Sequence, residues 1–234
     1  MNALNREMVE GMTATLRAWR DDAEVRAVVI TGTGPSVPAP TWKTAGAAVG
    51  PGEKDFLDCI VEFFDTLRGL AKPTIAAVNG LVLAGGMEVV LACDIVIAAK
   101  SARLGDAHSN FGVFPGGGGA AILPRKVPAN VAKYLLFTGD AMPAEELKTH
   151  GLVNEVVADA ELAERAQALA DKLAKKSPLV LARMKRVANE AADKATADAL
   201  RHELHELRDH QRSWDIQEGL RAFVDKREPQ FKGY

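Results

Sequence analysis

The stretch that most constrains this chain runs from residue 72 to residue 99 and reads KPTIAAVNGLVLAGGMEVVLACDIVIAA. Its β-branched run Thr74–Val78 predicts a buried strand, and the pair Gly85-Gly86 then introduces a short helix over residues 87–92. A second buried strand is predicted over residues 94–99. Strand, turn, short helix and strand in such close succession predict a mixed α/β fold.

The start of that short helix is a candidate site for chemistry. Backbone N–H groups in the first turn of a helix have no intrahelical acceptor, and the helix dipole favours negative charge there. Such groups suit a negative charge that develops on a substrate oxygen. Glu88 lies one turn into the helix, in an otherwise apolar segment. The stretch therefore predicts an oxyanion site beside an acid–base carboxylate, the alternative for Glu88 being a surface or capping role.

Helices and strands alternate around this stretch until about residue 175, and only helices are predicted beyond it. Apolar residues three and four apart predict the helices, and continuous β-rich runs predict the strands. The predicted helices span residues 2–20, 56–69, 128–137, 143–150, 159–176, 178–192, 196–213 and 215–227, with strands over 25–31 and 153–157 and a long loop over 36–52. Asp215 is the predicted N-cap of the last helix.

Composition excludes several classes of protein. The chain has 234 residues, is 47% apolar and carries a formal net charge of -2, so it can bury a full core and shows no basic stripe for nucleic acid. The start MNALNREM does not resemble a secretory leader, and no apolar run is long enough to cross a membrane. Cys59 and Cys93 lie in apolar surroundings and are expected to be buried, reduced thiols. A cytoplasmic protein is the expectation.

Two further features carry candidate chemistry. Asp106 and His108 lie two apart in a predicted loop, where His108 is either catalytic or structural. Four glycines follow at residues 116–119. Because such a run loses much conformational entropy on folding, it is expected to allow a tight backbone path beside a ligand or another segment, the alternative being a mobile loop.

Cofactor motifs are not evident. The sequence around Gly85 lacks the G-x-G-x-x-G fingerprint of dinucleotide binding, and no phosphate-binding loop motif occurs. His202 and His205 lie on a predicted helix among carboxylates and arginines, with no cysteine pair to complete a metal site. No metal or separate cofactor is expected.

Taken in order, many segments of the chain resemble the crotonase superfamily, also called the enoyl-CoA hydratase/isomerase family. The matching segments are NALN at 2–5, ITGTG at 30–34, KPTIAAVNG at 72–80, AGGMEVVLACDIVIAA at 84–99, FGVFPGGGG at 111–119, LPR at 123–125, FTGD at 137–140, HGLVNEVV at 150–157 and EGLRAFVDKREPQFKG at 218–233. The resemblance implies an α/β fold, a crotonase-like spiral of ββα units, followed by a helical trimerisation region. We therefore expect a core over residues 1–175, an oligomerisation region over 176–234, and a homotrimer or hexamer.

The resemblance also implies an acyl-CoA thioester as substrate, with coenzyme A as part of the substrate. Two backbone N–H groups would polarise its carbonyl and stabilise an enolate; Gly85 falls on one donor position and Thr41 on the other. The chain departs from the family here, because it has Ala39-Pro40-Thr41-Trp42 where Ala-Gly-Ala-Asp is common. Proline stiffens the loop, and Trp42 is expected to reshape the acyl pocket.

The two catalytic glutamates of the family's hydratases fall on Glu88 and on His108, so the second carboxylate is replaced. Addition of water to an enoyl thioester needs one group to activate water and one to deliver a proton, and Glu88 with His108 would serve. A histidine here, with Asp106 nearby, also resembles members that cleave carbon–carbon bonds in 1,3-diketones or that decarboxylate. The reaction therefore stays open between these and a homologue that binds acyl-CoA without turnover.

Substrate-binding residues are implied at three further places. Gly116 and Gly117 belong to the glycine run, and Lys226 and Lys232 resemble C-terminal basic residues that reach the phosphates of coenzyme A, often in a neighbouring subunit. A solvated basic tail is the alternative for these lysines. The strand hairpin that the family carries before NALN, which helps to hold coenzyme A, is not seen ahead of residue 2.

Overall fold

The computed structural model describes residues 4–34 and 54–234. Its helices are α1 Arg6–Asp21, α2 Phe56–Arg68, α3 Gly85–Ala92, α4 Gly119–Lys126, α5 Ala129–Thr138, α6 Ala144–Thr149, α7 Leu162–Ala174, α8 Pro178–Ala191, α9 Thr196–His210 and α10 Trp214–Asp225. Its strands are β1 Val28–Thr31, β2 Thr74–Val78, β3 Leu81–Val82, β4 Ile95–Ala99, β5 Arg103–Gly105, β6 Ala141–Pro143 and β7 Glu155–Val157. Short 3-10 turns cover His108–Phe111 and Asp159–Glu161.

A parallel sheet forms the centre of the molecule, with strand order β1-β2-β4-β7. All five residues of β2 are buried, as expected for a central parallel strand covered by helices on both faces. A smaller sheet has the order β3-β5-β6, in which β3 and β5 are parallel and β5 and β6 antiparallel. Helix α3 leaves β3 and returns the chain to β4, so its first turn lies at the end of the strands.

Two groups of buried side chains hold these layers together. The larger surrounds β2, β4 and α3 and includes Ile75, Met87 and Ile97. The smaller joins α1 and α2 to the sheet through residues such as Leu16 and Phe63. Full burial of a large apolar side chain stabilises the fold by roughly 1.5–3 kcal/mol, so these two groups carry most of the favourable burial.

The amphipathic helices and the central strands were predicted correctly, but two predictions near the sheets were wrong in part. The predicted 25–31 strand is shorter, and β1 is only partly buried, because within residues 4–34 and 54–234 no strand pairs with its outer edge. Residues 103–110 contain β5 and a 3-10 turn rather than a loop alone. Strand β5 forms because β3 and β6 pair with it, and such distant partners leave no local pattern.

The part of the chain after Ala174 consists of helices α8–α10 and an extended tail. The prediction that Asp215 caps α10 was wrong, since the side chain of Ser213 accepts the N–H of Ile216. Asp215 is instead 1% exposed and accepts the backbone N–H groups of Lys232 and Gly233, which fixes the tail against α10. Cys59 and Cys93 are buried free thiols, as predicted. Among the described residues, no helix is both long and apolar enough to span a bilayer.

Candidate active site

Helix α3 begins abruptly at Gly85, directly after a residue in an uncommon conformation. Ala84 has φ 48° and ψ -122°, a region that few non-glycine residues adopt, and its N–H donates to the carbonyl of Asp106 at 2.7 Å. The N–H of Gly86 donates to the carbonyl of Leu83 at 3.0 Å. Gly85 is the first helical residue, so its N–H belongs to the donors that α3 itself cannot satisfy. The geometry suits an oxyanion at this position.

Glu88 lies one turn further along α3 and is 4% exposed. Its Oε1 accepts the backbone N–H of Gly117 at 2.6 Å and that of Gly119 at 3.1 Å. Burial raises the pKa of Glu88 above its ordinary range, while these two amides and the nearby His108 act in the opposite direction. A raised pKa moves this carboxyl toward the range in which a general acid–base group works best.

His108 and Asp106 form a second buried pair, each 1% exposed. The Nδ1 of His108 lies 2.9 Å from Oδ1 of Asp106, and the backbone N–H of His108 donates to the same oxygen at 3.2 Å. The intervening Ala107 has a left-handed backbone, φ 60°, which folds the two side chains onto each other. The contact with Asp106 holds the imidazole ring of His108 in one orientation.

The glycine run takes the tight path that its composition predicts. A Cβ on Gly117 would overlap the ring of Phe64, and one on Gly119 would lie 2.6 Å from Oδ2 of Asp106. Gly118 has φ 125°, which disfavours any side chain, whereas Gly116 is exposed with open space around it. The run thus aims two backbone N–H groups at Glu88, a contact that residue patterns alone do not reveal.

The remaining residues predicted for the site are Thr41, Trp42, Lys226 and Lys232. Thr41 and Trp42 lie outside the described residues. Lys226 is exposed at the end of α10, and the exposed Lys232 places its Nζ 4.6 Å from the ring centroid of Trp214. Their role in binding a coenzyme A ester stays a prediction.

Sequence reasoning missed two residues of α2 that contact the site. Arg68 donates from Nη2 to the carbonyl of Gly117, and Phe64 packs against the same glycine. Phe64 was expected only as part of an amphipathic helix. Arg68 lies one turn after Phe64 on α2. This spacing predicts that the two side chains share a helix face, but it does not predict which segment packs against that face.

The chain matches the family model for enoyl-CoA hydratase/isomerase over residues 1–234. A carnitinyl-CoA dehydratase of Salmonella typhimurium is 33% identical over 241 residues, 99% of this chain and 91% of that protein. An enoyl-CoA hydratase structure from Bacillus anthracis has a TM-score of 0.90 at 32% identity, covering 99% of this chain and 91% of that one.

A second enoyl-CoA hydratase structure, from Polaromonas sp. JS666, has a TM-score of 0.91 at 31% identity, covering 98% of this chain and 91% of that one. These likenesses confirm the predicted crotonase-like α/β fold. The chain belongs to the enoyl-CoA hydratase/isomerase family.

Proposed function

We propose that the protein adds water to, or removes it from, an acyl-CoA thioester through an enolate. The observation that carries this proposal is the burial of Glu88 and of the His108–Asp106 pair near the free N-terminal end of α3. Two proton-transfer groups beside an oxyanion donor are what the reaction requires.

In the hydration direction, the thioester oxygen binds the N–H of Gly85, with Thr41 as the second proposed donor. One of the two proton-transfer groups takes a proton from water, the hydroxide adds to Cβ, and the electrons of the Cα–Cβ double bond shift so that negative charge develops on the thioester oxygen. A proton then adds to Cα and restores the carbonyl. Glu88 acts as the general acid–base group, and His108, oriented by Asp106, is the second proton-transfer group.

The similarity to a carnitinyl-CoA dehydratase supports an elimination or addition of water over the other reactions of the family. The direction of the Glu88 pKa shift agrees with this role, because burial moves the pKa from its ordinary value toward the working pH, where a group that both takes and gives a proton is most effective.

The test is the absorbance of the conjugated enoyl thioester when crotonyl-CoA is mixed with the purified protein. Wild type should consume the substrate, and Glu88→Gln should lower kcat by roughly 10²–10⁴-fold, the range for a general acid–base group. Glu164→Gln, an exposed carboxylate on α7, is the control and should match wild type. Equal turnover in wild type and Glu88→Gln would refute the role of Glu88.

A second candidate is the hydrolysis of a carbon–carbon bond in a 1,3-diketone. The 2.9 Å contact between His108 and Asp106 favours it, because such a pair can activate water. A panel of 1,3-diketones compared with crotonyl-CoA separates the two candidates, with His108→Ala abolishing the diketone reaction. Thermal stabilisation by coenzyme A esters without any product would instead indicate a binding protein without turnover.

The assembly state is proposed from the C-terminal helices. Leu200 and Leu204 on α9 and Phe223 and Val224 on α10 are exposed apolar side chains in the single chain. We expect these side chains to be covered in a homotrimer or in a pair of trimers. Light scattering on the purified protein measures the mass, and a monomer at working concentration would contradict the expectation.

A further inference from the structure

Two side chains near the end of α2 support the segment that holds Glu88. Phe64 and Arg68 lie one helical turn apart, and the guanidinium of Arg68 lies 5.2 Å from the ring centroid of Phe64. Both contact Gly117. The end of α2 thus presents a ring and a cation to one residue of the glycine run.

Gly117 links this end of α2 to the candidate acid–base group. Its carbonyl accepts a hydrogen bond from Nη2 of Arg68, and its N–H donates to Oε1 of Glu88 at 2.6 Å. A hydrogen bond from a cation to a carbonyl is stronger than one between neutral groups. Arg68 therefore holds the peptide that joins Gly117 to Gly118, which lies directly after the peptide whose N–H donates to Glu88, and limits the freedom of the Gly117 backbone between the two.

Sterics confirm that the glycine run is pressed onto both side chains. A Cβ on Gly117 would overlap Phe64, and a Cβ on Gly118 would lie 2.6 Å from Nη2 of Arg68. Gly118 also has φ 125°, where side chains are disfavoured. The run can lie this close to α2 only because it has no side chains.

The setting of Arg68 is unfavourable for a residue that serves stability alone. Its side chain is only 32% exposed, and burial lowers its pKa. Nη1 of Arg68 lies 3.9 Å from Oδ1 of Asp65, whose side chain is 73% exposed. The buried Nε of Arg68 has no hydrogen-bond acceptor among the described residues. A partly desolvated cation with so weak an ion pair contributes little to stability. The hydrogen bond to the Gly117 carbonyl is the contact of Arg68 that points to a specific role.

We propose that Arg68 is a positioning residue, which holds the Gly117 backbone so that its N–H, together with that of Gly119, fixes the carboxylate of Glu88 in its reactive orientation. Arg68 does not touch the reacting atoms. The inference rests on the proposed function for its effect on turnover, but not for its effect on the glycine run.

The first test compares steady-state kinetics with crotonyl-CoA. Arg68→Met keeps an unbranched apolar stem and removes the hydrogen bond, and should lower kcat by about 10–100-fold because a small misplacement of a catalytic group has effects of this size. KM should change little, and Arg68→Lys should recover part of the lost kcat. Arg125→Met is the matched control, since Arg125 pairs with Asp193 at the surface and should behave as wild type.

The second test does not depend on turnover. Hydrogen exchange of the Gly117 and Gly119 amides, followed by NMR in the free protein, should be at least tenfold faster in Arg68→Met than in wild type, and unchanged in Arg125→Met. If Arg68→Met does not fold, Arg68→Lys carries the same two measurements.

The outcomes separate the two proposals. Unchanged kcat and unchanged exchange in the Arg68 variants overturn the positioning role, and so does a raised KM at unchanged kcat, which would make Arg68 a substrate-binding residue. Faster exchange in a protein whose wild type consumes no acyl-CoA would overturn the proposed function while supporting the contact between Arg68 and the glycine run.

Discussion

Oδ1 of Asp106 accepts two hydrogen-bonding groups of His108, the ring Nδ1 at 2.9 Å and the backbone N–H at 3.2 Å. This double contact holds the imidazole in one position. The pair replaces the second glutamate expected from the family pattern with a histidine whose orientation depends on a separate carboxylate.

Replacement of Asp106 should therefore impair the chemistry more than the binding of substrate. Asp106→Asn removes the negative charge that stabilises a protonated ring, and we expect kcat to fall about 10²-fold while KM stays near the wild-type value. Asp171→Asn on α7, an exposed carboxylate beside Gln167, is the control. Steady-state kinetics measures both, and an Asp106→Asn enzyme with full kcat would show that His108 works without this partner.

The two adjacent glycines Gly116 and Gly117 should respond differently to the same change. Gly117→Ala forces a methyl group into the ring of Phe64 and should lower the free energy of unfolding by about 1–3 kcal/mol. Gly116→Ala meets nothing within 4 Å and should change it by less than about 1 kcal/mol. Urea unfolding measures both. Similar losses in the two variants would mean that the packing against α2 is not what restricts the run.

The stability of the protein should depend on pH through Glu88 with a defined sign. Burial raises the pKa of Glu88 above 4.5 in the folded protein, so the carboxylate destabilises the fold once it ionises. The free energy of unfolding of wild type should therefore fall relative to that of Glu88→Gln as pH rises from the pKa of Glu88 in the unfolded chain through its pKa in the folded protein. Unfolding free energies of both proteins between about pH 4 and pH 8 measure this. A difference that stays constant over this range would show that the folded pKa is not raised.

Glu218 should show the opposite dependence. Arg227 donates to both of its carboxylate oxygens, at 2.6 and 2.9 Å, and holds the pKa of Glu218 at about 2, below the ordinary 4.5. This stabilisation is present above pH 4.5 and is lost as pH falls from 4.5 toward about 2.

Glu218→Gln should therefore be less stable than wild type at neutral pH, and the difference should shrink as acid is added. Glu203→Gln, an exposed carboxylate on α9, controls for the loss of one negative charge. Thermal unfolding at several pH values is the measurement. A difference that grows in acid would contradict the assigned ion pair.

The sequence was most informative where the determinants are local. The central strands, the amphipathic helices and the short helix α3 follow from apolar spacing over a few residues, and each was found close to its predicted place. The residues themselves predicted an oxyanion site beside Glu88, and the family resemblance added Gly85 as the specific candidate donor. It also identified His108 as the substituted position.

The errors arose where distant segments decide. The three-residue strand β5 exists because β3 and β6 lie on either side of it. Asp215 looked like a helix cap, but the chain end returns to it and uses its carboxylate. No periodicity in the neighbouring residues encodes such a partner.

Local spacing and residue type were enough to predict the kinds of elements, the family and the candidate residues for chemistry. Tertiary contacts decide how those candidate residues are held. In these contacts, the N–H groups of Gly117 and Gly119 donate to the carboxylate of Glu88, and the carboxylate of Asp106 lies beside the ring of His108. The guanidinium of Arg68 donates to the carbonyl of Gly117. Two of these contacts, those of Gly117 with Glu88 and with Arg68, join segments 29 and 49 residues apart, and close approach of that kind results from packing of the whole chain.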